Sequence, residues 1–297
     1  MEAAVQLGAR LALVPDIFTY HDYRAFLRDW FEYLKKTDGG FSLRGLAKQS
    51  GISSAYMPMV LSGRRRLSED NLNKIILSLR LDPAQRSYLR ILCQFADSRT
   101  QEDSLKALER AQRFQSYKQL NPKEAETSSY LSNWHYVVIR ELAATPEFKD
   151  DAHWLQEQLR FHVPLSEIEK ALTFLKAYKF IDRREDGSFY LPEKQIDCVG
   201  EVFRVVLSQF HKKMFQLGAK AIEDVPSTER LITGLTMSLS PKSFEKVKAL
   251  LDHTMSELER IASEETQPEA VYHVSLAGFP LTQTEGTVKE DTHELSN

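Results

Sequence analysis

The sequence predicts a mainly α protein. It has an N-terminal module of five helices, then three helices closed by a hairpin, then a small α+β C-terminal part. Three observations predict this. Apolar residues recur at helical steps in segment after segment. Helix-start residues stand just ahead of several of those segments: Ser68, Asp82-Pro83 and Ser240-Pro241. The chain of 297 residues holds only 12 glycines, which leaves room for few tight turns.

Residues 18–37 place Tyr23, Phe26, Leu27, Trp30, Phe31 and Leu34 on one helical face, and Asp38-Gly39-Gly40 ends that helix. Residues 42–50 and 53–61 predict two short helices. Ser68 caps a fourth, with Glu69 and Asp70 facing its dipole and Leu72, Ile75, Ile76 and Leu79 on its apolar face. Asp82-Pro83 starts a fifth, carrying Tyr88, Leu89, Leu92 and Phe95. Residues 98–126 read as a polar connection with one helix, broken at Asn121-Pro122.

A second module starts near Ser128. Helices are expected over 130–142, over 152–159 and after Pro164. Asp186-Gly187 then sits between two short apolar runs, a hairpin signal. Three helices and a hairpin is the order of a winged helix. Residues 200–217 form another amphipathic helix. Residues 230–239 and 271–281 read as strands flanking a helix over 241–263, and the tail from Thr282 reads as disordered. The expected divisions are 16–97, 98–127, 128–198, 199–281 and 282–297.

The hydrophobic share of 42% and charged share of 27% are those of a soluble globular chain. Its length suits two or three domains. Net charge is −3, but residues 1–97 carry +4 and the remainder −7. This asymmetry fits a basic reader joined to an acidic partner domain. Cys93 and Cys198 stand far apart and read as small buried hydrophobes in a reducing cytoplasm. No run approaches the ~18 apolar residues of a membrane span. The start, with Glu2 ahead of any basic residue and Arg10 interrupting the apolar part, makes a poor signal peptide and reads as an N-terminal helix.

The segment Phe41–Arg66 carries the functional signal. It holds five basic residues (Arg44, Lys48, Arg64, Arg65, Arg66) and no acidic one. Ala47 is the small residue where two helices touch, and Gly51 supplies the turn four positions later. Leu46, Ile52, Met57 and Val60 form the locking set, Ser53 or Ser54 caps the next helix, and Gly63 closes it. This is the pattern of a helix-turn-helix. Its second helix would present Ser53, Ser54, Ala55, Tyr56 and Met59 to base edges. Arg64, Arg65 and Arg66 would grip phosphates, giving affinity and salt dependence rather than sequence choice. Pro58 disagrees with the pattern. With Ser54 as cap it is the fourth helical residue and removes one backbone bond. With an earlier start the cost rises toward ~3 kcal/mol.

These blocks resemble a family of predicted bacterial transcriptional regulators. That family joins an N-terminal phage-repressor-type helix-turn-helix to a C-terminal domain of unknown function. The residues that carry the likeness are 20–35 (YHDYRAFLRDWFEYLK), 41–56 (FSLRGLAKQSGISSAY), 62–68, 132–142, 201–214, 229–240 and 271–281. The resemblance implies a DNA-binding regulator and assigns no ligand or catalytic residue. It also implies that Pro58 stands where the family usually has a polar or basic side chain.

Other clusters have ordinary readings. The hairpin arginines, Arg183 and Arg184, lie in a stretch (160–195) with seven basic and six acidic residues, so its field is nearly neutral. Packing or dimerisation suits it better than DNA contact. The helix over 241–263 carries a heptad seam (Phe244, Val247, Leu251, Thr254, Leu258, Ile261) that would pair two subunits. With fewer than three heptads, a helix lying on its flanking strands is the favoured reading. Trp134, His135 and Tyr136, beside Arg140 and Glu141, read as a core Trp with a snorkelling surface rather than as a ligand pocket. The eight histidines show no metal-ligand spacing, and no phosphate-cradling loop or nucleophile elbow is visible. The sequence therefore predicts a cytoplasmic, dimeric regulator that binds duplex DNA. It predicts no cofactor, no metal, no membrane contact and no enzyme activity, and leaves room for a small-molecule or protein effector. The alternative is an interaction or sensing module whose helix-turn-helix no longer reads bases.

Overall fold

A computed structural model of the chain describes residues 14–192 and 201–283. The expected N-terminal helix over the first residues, Cys198 and most of the expected disordered tail lie outside the described residues. The chain divides into two compact units. Residues 1–133 with 195–211 make the first, and residues 134–194 with 212–297 the second.

The first unit opens with a 3-10 turn, Ile17–Thr19, and helix α1, Tyr23–Thr37. All six residues expected on the apolar face of α1 are buried. Trp30 sends its indole N–H 2.9 Å to the Leu79 carbonyl, so its one polar atom is satisfied inside the core. Then come α2 (Leu43–Ser50), α3 (Tyr56–Leu61), α4 (Glu69–Ile76) and α5 (Pro83–Ala96). Ser68 caps α4 through the Asn71 amide. Asp82 and Gln85 form a reciprocal capping box around Pro83. Cys93 is buried, and burial pushes its thiol pKa well up, as for an inert core sulfhydryl.

The stretch expected to hold one connecting helix (98–126) holds α6 (Gln101–Ala111), α7 (Gln115–Leu120) and the start of α8 (Pro122–Ser132), which takes in residues 130–132 of the helix expected over 130–142. Asn121-Pro122 does interrupt the chain, but Pro122 also starts the next helix, where its missing N–H costs nothing. Ala107, Leu108, Ala111 and Tyr117 are buried, so this polar-looking stretch contributes to a core.

In the second unit, α9 (Trp134–Leu142), α10 (Ala152–Gln158) and α11 (Leu165–Ala177) precede the hairpin of β1 (Asp182–Arg183) and β2 (Phe189–Tyr190). The strands are antiparallel, with Asp182 opposite Tyr190, and Gly187 takes φ +89° in the turn. Ile139, Leu155, Ile168, Leu175, Phe180 and Ile181 form the core. Both hairpin arginines are engaged on the hairpin itself. Arg183 bonds the Gly187 carbonyl at 2.9 Å and lies 5.5 Å from the Phe189 ring centre, and Arg184 lies 5.0 Å from that of Tyr190.

His135 lies in this core, whereas Trp134, the expected core residue of the cluster, is only half-buried. Its ring is buried, and burial lowers its pKa against the opposing pull of Glu167. Its Nε2 has no partner. A histidine held neutral by the fold takes up a proton more readily when unfolded. Its stabilising effect is therefore complete above the ordinary value of 6.5 and is lost as pH falls toward the depressed folded value. The expected result is a falling unfolding midpoint between pH 7 and ~5.5 that His135→Phe flattens. An unchanged slope in thermal unfolding of that variant would remove His135 as the cause.

Helix α12, Glu201–Asp224, belongs to the first unit through residue 211 and to the second beyond it. Ser240 caps α13, Pro241–Glu264. Here the structure corrects the expected α+β part. Residues 230–239 and 271–281 form no helix, and neither belongs to a sheet among the described residues, where the only pairing is β1 with β2. Neither expected strand has a partner ladder among the described residues, and without one the segment is not a strand. Helix α13 does lie against one flank. A carbon placed on Gly278 would come 3.5 Å from the Phe244 ring and 3.7 Å from Leu251. No residue of α13 is buried.

Candidate nucleic-acid interface

The basic segment is built on α2, α3 and the loop that follows. Ser42 starts α2 by accepting the Gly45 amide at 3.0 Å. Leu46 and Ala47 are buried, at 4% and 2% exposure. This leaves Arg44 and Lys48, one turn apart on the same side, in solvent. Gly51 ends the helix with φ +63°, a conformation that a side chain would strain, and the Ile52 amide reaches back to the Ala47 carbonyl at 3.0 Å.

The chain then runs through Ser53 and Ser54 before α3 begins at Tyr56. Ser53 accepts the Ala55 amide at 3.4 Å through its hydroxyl and the Tyr56 amide at 3.0 Å through its carbonyl. The cap position itself is Ala55, which makes no side-chain bond. This late start resolves the expected conflict at Pro58. It is the third helical residue, among the first four amides that have no acceptor inside a helix, so it breaks no backbone bond. It does leave α3 six residues long with Ala55, Pro58 and Met59 exposed and without a hydrogen-bonding side chain.

Met57 and Val60 face the core at 1% and 0% exposure. Tyr56, expected at base edges, joins them at 6% exposure. Position 56 is one helical turn before Val60, so it shares the buried face. Its hydroxyl donates to the Arg66 carbonyl at 2.9 Å and accepts the Ser68 amide at 3.0 Å. Between those residues, the Leu67 amide donates to the Tyr23 hydroxyl at 3.3 Å. Two tyrosine hydroxyls thus hold three consecutive residues of the loop. Burial pushes the Tyr23 hydroxyl up to about 12, so it stays neutral. For Tyr56 burial also pushes upward, but Asn71, Ser68 and Arg65 outweigh it and leave its pKa lowered.

Gly63, at φ +78°, closes α3 and turns the chain into the arginine run. The Arg65 amide bonds the Met59 carbonyl at 3.2 Å, and its guanidinium lies 5.4 Å from the Tyr56 ring centre. Arg66 stands 3.8 Å from Asp97 at the end of α5. Burial raises the Asp97 pKa, while Arg66 and Arg24 pull it back down. Arg64 has no ion-pair partner among the described residues, and neither have Arg44 and Lys48. Arg28 of α1 was not singled out by the sequence. It is exposed and donates to the Leu61 carbonyl at 3.1 Å, which adds a cation at the C-terminal end of α3. Only tertiary packing brings α1 there, so local spacing gave no signal for it.

Of the expected contact residues, Arg44, Lys48, Ser53, Ser54, Ala55, Met59, Arg64, Arg65 and Arg66 are exposed, and Tyr56 is not. The next acids, Glu69 and Asp70, sit in the first turn of α4. The result is an exposed, rigidly tethered cationic loop beside a short apolar helix. Such a surface suits polyanion backbones better than hydrogen-bonded reading of bases. Among the described residues no three His, Cys, Asp or Glu side chains come together in a metal-binding group, and no helix is long and apolar enough to cross a membrane.

Residues 111–281 match the model of a family described as a domain of unknown function (DUF4423). No curated protein and no solved structure matches the chain. The basic segment 41–66 lies ahead of the matched residues.

Proposed function

The chain belongs to the DUF4423 family, and from the basic segment ahead of the matched residues we propose that it is a cytoplasmic, dimeric, DNA-binding transcriptional regulator. In this reading α2, the Gly51 turn and α3 act as a helix-turn-helix, and α9 to β2 form a winged-helix-like module used for packing. One observation carries the proposal: Arg64–Arg66 stand in solvent next to α3, leading into Arg66–Ser68, whose backbone two tyrosine hydroxyls bond, in a 26-residue stretch without an acid. Arg28, Arg44 and Lys48 extend the positive surface. A loop restrained before binding loses little entropy on contact. The wing arginines take no part in this reading, because both already serve the hairpin.

The test is fluorescence anisotropy with a random duplex across a salt series. Binding is expected at low salt, with log K falling linearly in log salt. No binding at low salt sinks the proposal. Selecting bound duplexes from a random pool then finds any preferred site.

A second reading rests on the face of α3. Ala55, Pro58 and Met59 offer apolar contact only, and Met59 is 41% exposed. That face also fits a protein partner, in which case the fold serves interaction and not base reading. Pro58→Lys separates the two. Position 58 is exposed and its amide is not needed, so the change should leave stability within ~0.5 kcal/mol. If α3 lies along DNA, the added cation should raise affinity roughly fivefold and steepen the salt slope by about one. No change in slope would place α3 away from the phosphates.

A further inference from the structure

We infer that residues 226–283 are a self-association arm covered by a second copy of this chain, with the segments 231–239 and 271–281 entering β-ladders that form only between the two copies. Backbone demand is the first ground. Residues 231–239 belong to no helix, strand or turn and make no backbone–backbone hydrogen bond with any described residue. A run of nine residues whose amides and carbonyls have no backbone partner leaves a row of groups that a β-ladder with another chain would satisfy.

Side chains are the second ground. Of the 18 exposed large apolar residues among those described, 11 fall in these 58 positions. They include Leu231 at 89%, Leu235 at 78% and Tyr272 at 81% exposure. Helix α13 runs through the middle of the arm for 24 residues and buries none of them. At about 100 Å² each, those side chains would contribute roughly 1,100 Å² on one subunit, against the ~800 Å² per partner of a standard stable interface.

Charge selects the occupant. Natural sheet edges are guarded by lysines and other charges. Residues 231–241 and 270–283 contain no Asp, Glu, Lys or Arg at all. An unguarded apolar edge of this length aggregates unless it is covered from synthesis onward. A second copy of the same chain is the one partner always present in equal amount. Two copies would bring four such segments and two helices, enough for a sheet with a helical layer on one face. A two-fold axis closes that arrangement and leaves no repeating contact. This supplies the dimer that the regulator reading uses. It is tested without DNA, so either can fail alone.

The experiment is light scattering with size exclusion, together with amide hydrogen exchange on the full-length protein. The wild type is expected at twice the chain mass of 34.2 kDa. The amides of 231–239 should exchange about 100-fold or more slower than in an unpaired segment. Leu235→Lys with Met237→Lys is expected to run at the mass of one chain, keep its helical far-UV signal and exchange those amides freely. A monomeric wild type overturns the inference. So does a wild-type dimer whose 231–239 amides exchange at the open rate, and that measurement decides even if the charged variant fails to fold. A variant that is folded and still dimeric also overturns it.

Discussion

Alanine at Arg64, Arg65 and Arg66 together is expected to weaken duplex DNA binding about 100-fold at low salt. Each exposed guanidinium–phosphate contact contributes on the order of 1 kcal/mol in this screened setting, or about fivefold, and three combine to that figure. The slope of log K against log salt should fall by nearly three, since each phosphate neutralised accounts for ~0.9. The loss should be similar for every duplex sequence, because backbone contacts carry no base information. The single variants should not be equal. Arg64 is unpaired among the described residues and should give the full effect, whereas Arg66 is shared with Asp97 and should give less. Anisotropy titrations at four salt concentrations measure both quantities. A triple variant with wild-type affinity and slope would remove this loop from the DNA contact and with it the main support for the regulator reading.

The fold was legible where a local signal is sufficient. Ser68, Asp82 and Ser240 cap the helices they were expected to cap, because capping needs only one side chain and an amide two or three residues on. Gly51, Gly63 and Gly187 take positive φ where turns were expected, for the same local reason. The apolar face of α1 was legible through its 3.6-residue period. What escaped was set by distance. Arg28 meets the end of α3 across 33 positions in sequence, and no spacing rule reaches that far. Residues 230–239 have the alternation of a strand, yet alternation says which faces differ and not where the hydrogen bonds go. Tyr56 is an intermediate case. Its spacing to Val60 announced a buried position, but a recognition-helix template placed it outside. The template failed because α3 starts at Tyr56 rather than at the serines, which turns that side chain inward.

Tyr56→Phe tests whether the arginine loop works because it is held. The change keeps the ring that packs beside Met57 and Val60 and removes only the hydroxyl. That hydroxyl is the acceptor for the Ser68 amide and the donor to the Arg66 carbonyl. Leaving those partly buried groups unmatched should cost roughly 1–3 kcal/mol of stability. The effect on the loop should be larger than on the rest of the unit, because only the Tyr23 hydroxyl would still hold Leu67. In hydrogen exchange, the Ser68 amide, which loses its acceptor, should lose protection while Leu67, still bonded to Tyr23, and the amides of α1 and α5 keep theirs. DNA affinity should then fall even though no charge is lost, and the salt slope should stay unchanged, since the same phosphates are met by a less ordered loop. Tyr23→Phe should act in the same direction, and the double variant should lose less or more than the sum, because the two hydroxyls grip adjacent residues. Full protection of Ser68 in Tyr56→Phe would show that the loop is held by other means. A fall in salt slope would show instead that the hydroxyl acts on the number of phosphates contacted rather than on loop order.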